Sequence, residues 1–167
     1  MPRVIRAFIG VRKVGARTWY VRRSEKMENY PGVLSLPSIQ FEEGDIVDPR
    51  ELQDAQYIAE RLSAERFMGV PIKVMGHLIS GKGSNNPMGA LVILHLYEIS
   101  LGLHEHASSI AGEGSQLNPD YYSESEWLTP EQYEERSAGD VCGLCLRLYS
   151  KWYMREGLID RPFAPEP

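Results

Sequence analysis

The chain has 167 residues and a formal net charge of −5, and 43% of its residues are hydrophobic. This size and composition predict a single globular domain with a hydrophobic core. The acidic balance argues against a nucleic-acid polymer as partner, because phosphate backbones require clustered lysine and arginine. A small phosphorylated or anionic substrate, held by a few local cations, is compatible with it.

The two cysteines, Cys142 and Cys145, are too few for a disulfide scaffold and indicate a reducing compartment. They lie within an apolar helical pattern, so we interpret them as core residues. The amino-terminal segment lacks the long apolar run of a signal peptide, and no apolar stretch is long enough to cross a bilayer. The sequence therefore predicts a cytoplasmic protein with no membrane partner.

Three strands are predicted in the first part of the chain. Residues 3–11 and 18–23 are rich in β-branched and aromatic side chains, and we expect them to pair as a hairpin. A short buried strand follows at residues 33–36 and stops at Pro37.

A long helix is predicted after the acidic segment 42–45 (EEGD). Asp48 and Pro49 are a favourable helix start, as N-cap and first helical residue. The helical pattern runs to Phe67, and Gly69 is expected to end it.

The second half alternates strands with loops. Strands are predicted at residues 71–79 and 90–99, with a turn-rich loop at 80–87 between them. The polar segment 101–122 is long for a connection, which is typical of a binding loop or lid. The remaining predicted elements are, in order, a strand at 126–128, a helix opening at 129–131, a helix at 140–156 and an extended tail at 161–167.

Several of these segments resemble the Nudix hydrolase family. The strand ending at Arg23 leads through a loop to residues 36–45 (LPSIQFEEGD), which fall on the family's L-P-G-G-x-x-E-x-G-E. Residues 125–133 (SEWLTPEQY) are similar to the family's later strand-to-helix turn. The resemblance implies an α/β fold, a Nudix-type α/β/α sandwich with a mixed sheet, in a single domain over residues 1–160 that is followed by the tail 161–167.

The family's helix signature is R-E-U-x-E-E-x-G-U, where U is aliphatic, and its glutamates converge on one helix face to hold a divalent metal. One alignment places Leu62 on the first U position. Glu60 and Arg61 then occupy the R-E pair, and Ala64 and Glu65 occupy the E-E pair. One of three expected helix carboxylates remains, and a cation replaces another.

A second alignment places residues 50–55 (RELQDA) on R-E-U-x-E-E and keeps the arginine and two carboxylates. No glycine follows there, whereas Gly69 follows the first alignment near the family's glycine. We prefer the first alignment, and the second stays open.

The resemblance implies a set of site residues and a cofactor. Mg²⁺ or Mn²⁺ would be held by Glu42, Asp45 and Glu65. Catalytic roles would fall to Glu65, Glu60 and Arg61. The predicted substrate-binding residues are Arg22 and Arg23 from the resemblance, His104 and His106 from their imidazole chemistry, and Tyr122 as part of a stacking wall with Tyr121 and Trp127. A homodimer is expected from the family alone.

Three functional hypotheses follow. The first is a divergent hydrolase of a nucleoside diphosphate linked to another group, with its metal ligands moved to the loop 42–45. The second is a Nudix-fold protein that binds a nucleotide or other anionic ligand without hydrolysis. The third is an enzyme of other chemistry that uses the loop around His104 and His106. Arg61, in place of a glutamate, would bind a phosphate or a carboxylate directly without metal.

Overall fold

The computed structural model describes residues 4–27, 31–42, 55–83, 91–101, 117–136, 151–152 and 154–155. The strands and helices in these ranges are, in chain order, β1 (Val4–Val11), β2 (Lys13–Val14), β3 (Arg17–Arg23), β4 (Leu34–Ser35), β5 (Ser38–Glu42), α1 (Ala55–Arg66), β6 (Ile72–Gly83), β7 (Leu91–Leu101), β8 (Tyr122–Leu128) and α2 (Pro130–Glu135). The residues described between 151 and 155 are also helical. Asp45, His104, His106 and the tail lie outside the described residues.

The strands form two sheets. The first sheet has the order β5-β1-β7-β6, in which β1 and β7 run parallel and the other neighbours run antiparallel. The second sheet is built around β3, which pairs antiparallel with β2, β4 and β8. The mixed first sheet confirms the predicted α/β class.

The predicted hairpin is wrong. Among the described strands, β1 pairs with β5 and β7, whereas β3 pairs within the second sheet. The chain changes sheets at Arg12, a buried residue whose guanidinium carbon lies 5.3 Å from the ring centroid of Trp19 and 5.1 Å from that of Trp127. A hydrophobic pattern identifies strands, but their partners depend on contacts far apart in sequence.

Hydrophobic clusters lie on both faces of the first sheet. On one face, α1 packs through Ile58, Ala59 and Leu62, whose spacing forms one side of a helix. On the other face, Tyr20 of the second sheet, Tyr133 of α2 and the helical Trp152 pack together. This layering agrees with the predicted sandwich.

The carboxyl end of α1 follows the prediction. The Gly69 backbone has a φ of +84°, and its N–H donates to the Ser63 carbonyl at 3.0 Å, which closes the helix end. The predicted helix start at Asp48 and Pro49 lies outside the described residues.

Other boundaries differ from the predictions. β5 is an additional strand, and β8 begins at Tyr122 rather than at residue 126. β6 continues to Gly83, so its last residues occupy the start of the predicted loop 80–87. Pairing with β7 holds this glycine-rich sequence extended, which overrides its local turn preference. No helix in the described part of the chain is long and apolar enough to span a membrane.

Candidate functional site

A cavity of about 380 Å³ opens where the ends of β3, β5 and α1 meet the turn before β8. We call it the cleft, and its lining residues are Arg23, Lys26, Met27, Ser38, Gln40, Arg66, Asp120 and Tyr121. Three cations and one carboxylate line it. A locally positive cavity in an acidic chain favours a small anionic ligand.

Arg66 is the last residue of α1 and the central cation of the cleft. Its guanidinium carbon lies 3.9 Å from the centroid of the Tyr121 ring and 5.8 Å from that of Tyr122. The Arg66 Nε atom is buried, and among the described residues it has no hydrogen-bond partner. A guanidinium above an aromatic ring is held by attraction to the ring face, and its N–H groups are donors that match a carboxylate or a phosphate.

Asn118 fixes the position of the Arg66–Tyr121 stack. Its backbone N–H donates to the Arg66 carbonyl at 2.9 Å, and its side-chain amide donates to the Glu65 carbonyl at 2.8 Å. These bonds satisfy two carbonyls at the end of α1. The Asn118 carbonyl in turn accepts from the Tyr121 N–H at 3.0 Å, so the turn holds the tyrosine beneath the helix end.

Lys26 and Asp120 form the outer wall of the cleft. The Lys26 Nζ lies 3.6 Å from the Asp120 Oδ1, and both side chains are largely exposed. An exposed pair at this distance contributes little to stability, so an anionic ligand can replace the aspartate as the partner of Lys26.

The neighbouring arginines of β3 have different environments. Arg22 donates to Glu124 at 2.6 Å, to Glu126 at 3.3 Å and to the Gly32 carbonyl at 3.0 Å. Arg23 lines the cleft, and the pairing of β3 with β8 shifts register between the two arginines. Of the two arginines predicted to bind substrate, Arg23 therefore lies at the cavity, and Arg22 is engaged by protein groups.

The predicted contact Tyr122 is buried, and its hydroxyl bonds to the edge of β5. The hydroxyl accepts from the Ser38 N–H at 3.0 Å and donates to the Ser38 carbonyl at 3.1 Å. Its neighbour Tyr121 lines the cleft instead. Trp127, the other aromatic candidate, packs with its ring centroid 6.5 Å from that of Trp19.

The predicted catalytic residues lie on α1 in different surroundings. Glu60 and Glu65 are exposed, and Arg61 is partly buried. At about 100° per residue, the two glutamates point to different sides of the helix. Within the described ranges, no group of three or more His, Cys, Asp and Glu side chains could hold a metal ion. The described carboxylates of α1 thus do not fit Mg²⁺ or Mn²⁺ by themselves.

The remaining predicted ligands belong to segments that the structure covers in part. Glu42 is the last residue of β5, and its backbone alone is described. Asp45, His104 and His106 lie outside the described residues, so their roles stay predictions.

Sequence reasoning missed Arg66 and Lys26. Both look like ordinary surface cations, because Arg66 closes a helix and Lys26 lies in a polar turn. The pattern of a basic last helical residue before Met68-Gly69 is common and carries no functional signal of its own. Their convergence depends on tertiary contacts.

Neither a scan against protein-family models nor a search of curated proteins found a match. Solved structures do match. A MutT protein from Methanosarcina mazei is 12% identical with a TM-score of 0.61, and 96% of this chain aligns with 97% of it. A Nudix hydrolase from Nitrosomonas europaea is 11% identical with a TM-score of 0.60, over 99% of this chain and 100% of the other.

A third similar structure is the Nudix domain of Shewanella oneidensis NrtR in complex with ADP ribose. It is 13% identical with a TM-score of 0.50, over 95% of this chain and 90% of that domain. At such identities the likeness concerns the fold, and it extends over nearly the whole length of the chain. Together with the two-sheet architecture, these matches show that the chain has the Nudix fold.

Proposed function

We propose that this Nudix-fold protein binds a small phosphorylated ligand in the cleft through direct contacts with arginine and lysine. The observation that carries the proposal is the Arg66–Tyr121 stack, with the unpartnered Arg66 Nε among the described residues, in a cavity that Arg23 and Lys26 also line. This arrangement supplies positive charge without requiring a metal.

The chemistry of these side chains suits a phosphate. A guanidinium presents parallel N–H donors that match two phosphate oxygens, and a lysine adds a mobile point charge. The cavity of about 380 Å³ lies at the small end of ligand pockets, which suits one nucleotide or a smaller phosphorylated compound. ADP ribose, the compound bound to the NrtR domain, is a first probe because it carries a diphosphate, and inorganic pyrophosphate is the smaller probe with the same group.

Calorimetric titration with ADP ribose and with inorganic pyrophosphate, each in EDTA and in Mg²⁺, tests the proposal. We expect saturable binding in EDTA, weakened roughly 10- to 100-fold in Arg66→Gln, since a charge-assisted hydrogen bond contributes about 1.5–3 kcal/mol. Arg23→Gln should weaken binding similarly. Arg17→Gln is the matched control, because Arg17 is an exposed arginine on the same strand, β3, and does not line the cleft.

Two results would contradict this proposal. The first is binding that Arg66→Gln and Arg23→Gln leave unchanged. The second is binding that occurs in Mg²⁺ and disappears in EDTA, which would assign recognition to a metal rather than to the cations of the cleft.

A second candidate function is metal-dependent hydrolysis of a nucleoside diphosphate derivative. It is favoured by β5, which contributes Ser38 and Gln40 to the cleft and ends at Glu42, two residues after Gln40. Glu42, Asp45 and Glu65 would be the ligands of Mg²⁺ or Mn²⁺, and the metal would polarise the diphosphate. The catalytic assignment of Glu60, Glu65 and Arg61 belongs to this candidate.

Phosphate release separates the two functions. Metal-dependent release from ADP ribose that is lost in Asp45→Asn would support hydrolysis. Tight binding without release in Mg²⁺ or Mn²⁺ would support binding alone.

A further inference from the structure

A continuous hydrogen-bonded chain of four polar side chains crosses the first sheet on its α1 face. Arg6 Nη1 lies 3.0 Å from His95 Nε2, His95 Nδ1 lies 2.8 Å from Ser80 Oγ, and Ser80 Oγ lies 2.7 Å from His77 Nε2. The four residues come from three adjacent strands, β1, β7 and β6. Ser80 and His77 are exposed at the outer end of this chain.

Arg6 determines the direction of two of the three hydrogen bonds. A guanidinium can only donate, so His95 Nε2 must accept and carry no proton. A neutral His95 then has its proton on Nδ1 and donates it to Ser80 Oγ. In the tautomer of His77 with its proton on Nδ1, the Ser80 hydroxyl donates to His77 Nε2.

A bulge in β6 brings His77 and Ser80 together. The two are three residues apart, so a regular strand would place them on opposite faces. The register of β6 against β7 shifts between His77 and Ile79, and both Leu78 and Ile79 pack against the cluster on the other face. The extra residue therefore returns Ser80 to the face of His77. Bulges that re-aim a side chain are frequent beside functional sites.

The surroundings hold the four hydrogen-bonded side chains in place and favour the neutral form of His95. Tyr97 stacks on Phe8 with centroids 4.9 Å apart and meets the His77 ring edge-on at 5.2 Å. Burial lowers the pKa of His95, and the nearby charge of Arg6 lowers it further. A cavity of about 60 Å³ opens beside Arg6, His95 and Tyr97.

We propose that Ser80 is a nucleophile toward small activated acyl or phosphoryl esters, with His77 as its base. Ser80 Oγ forms a bond to the acyl carbon or phosphorus while its proton passes to His77 Nε2, and the bond to the leaving group breaks. The leaving group departs with the bonding electron pair and takes the proton from His77 or from water. His95 Nδ1–H donates to Oγ and orients it, and Arg6 is a positioning residue that fixes the His95 tautomer.

This site is separate from the cleft. Gln40 lines the cleft, and the next residue, Phe41, lines the small cavity beside His95, so the two sites use opposite faces of β5. The inference therefore stands independently of the proposed function.

Labelling with a fluorophosphonate probe tests the proposal in the intact chain. Attack by Ser80 forms the Ser–O–P bond and releases fluoride, and peptide mass mapping locates the adduct. Ser123, an exposed serine on β8, is an internal control in the same molecule. We expect Ser80 to react at least tenfold faster than Ser123, and Ser80→Ala to abolish the fast adduct.

The role of His77 has its own readout. His77→Ala should slow labelling of Ser80 at least tenfold, since a positioned base typically contributes about 10²–10⁴-fold. Added imidazole should restore part of the rate in His77→Ala, because the replaced ring is exposed. Equal labelling of Ser80 and Ser123, an unchanged rate in His77→Ala, or no rescue by imidazole would overturn the proposal.

Discussion

Replacing Tyr122 by phenylalanine distinguishes a structural tyrosine from a ligand-binding one. The Tyr122 hydroxyl bonds both backbone groups of Ser38, at 3.0 and 3.1 Å, and so takes the place of a neighbouring strand at the edge of β5. Its ring lies 5.8 Å from that of Phe67 in the core under α1. Phenylalanine keeps the ring and removes both hydrogen bonds.

The expected loss follows from these two bonds. A net contribution of about 0.5–1.5 kcal/mol for each bond gives a destabilisation of about 2 kcal/mol. For a domain of this length, that corresponds to a fall in Tm of roughly 4–8 °C. Tyr122→Phe leaves the side chains of the cleft residues unchanged and removes no charge from the cleft. The affinity for ADP ribose should therefore change by less than about twofold.

Urea unfolding followed by tryptophan fluorescence measures the stability, and calorimetry below the transition measures the affinity. Tyr121→Phe is the matched control, since it removes a hydroxyl one residue away and keeps the ring beneath Arg66. We expect Tyr121→Phe to change the stability by less than about 0.5 kcal/mol. A Tyr122→Phe variant of normal stability with a tenfold loss of affinity would refute the structural interpretation.

Three further changes test other parts of the fold. Gln56 of α1 donates to the Ile72 carbonyl at 2.8 Å and accepts from the Val74 N–H at 3.1 Å, so its side chain caps the edge of β6. Gln56→Ala should lower the free energy of unfolding, measured in urea, by about 1–2 kcal/mol. It should also increase self-association, measured by light scattering, because the strand edge is exposed. Arg12→Ala should cost about 2–4 kcal/mol in the same unfolding assay, because it empties a buried site between two tryptophan rings. The pKa of His95 in the folded protein lies below 6.5, so the unfolded chain binds more protons as the pH falls through 6.5, and stability should decline there. Thermal unfolding between pH 7.5 and 5 measures this decline, which should be shallower in His95→Gln. Identical slopes in the two proteins would contradict this prediction.

The sequence predicted the elements of this fold better than their partners. Strand patterns at residues 3–11 and 18–23 were sufficient to locate β1 and β3, because enrichment in β-branched and aromatic side chains is a local property. The change of sheet at Arg12 was not predictable, because Arg12 packs against Trp127, which is 115 positions further along the chain, as well as against the nearby Trp19. The length of β6 was hidden for a similar reason, since Gly81 and Gly83 are extended through pairing with β7.

The candidate site was predictable to a smaller extent. Arg23 and Tyr121 were accessible from the sequence, because a strand end and an aromatic pair are visible as motifs. Arg66 was not, because its environment depends on the turn at Asn118, which is 52 positions further along the chain. The carboxylates that the family resemblance indicated are either exposed on α1 or outside the described residues, so the structure leaves their metal-binding role as a prediction.

The contacts that place the cations of the cleft do not involve the helix signature. Arg66 is set by its stack on Tyr121 and by the Asn118 bond to its carbonyl, and Arg23 is set by the register shift between β3 and β8. None of these contacts uses the side chain of Glu60 or Glu65, so loss of carboxylates from the helix would leave the cations of the cleft in place. In this chain, the proposed anion binding and the predicted metal binding therefore rest on different residues.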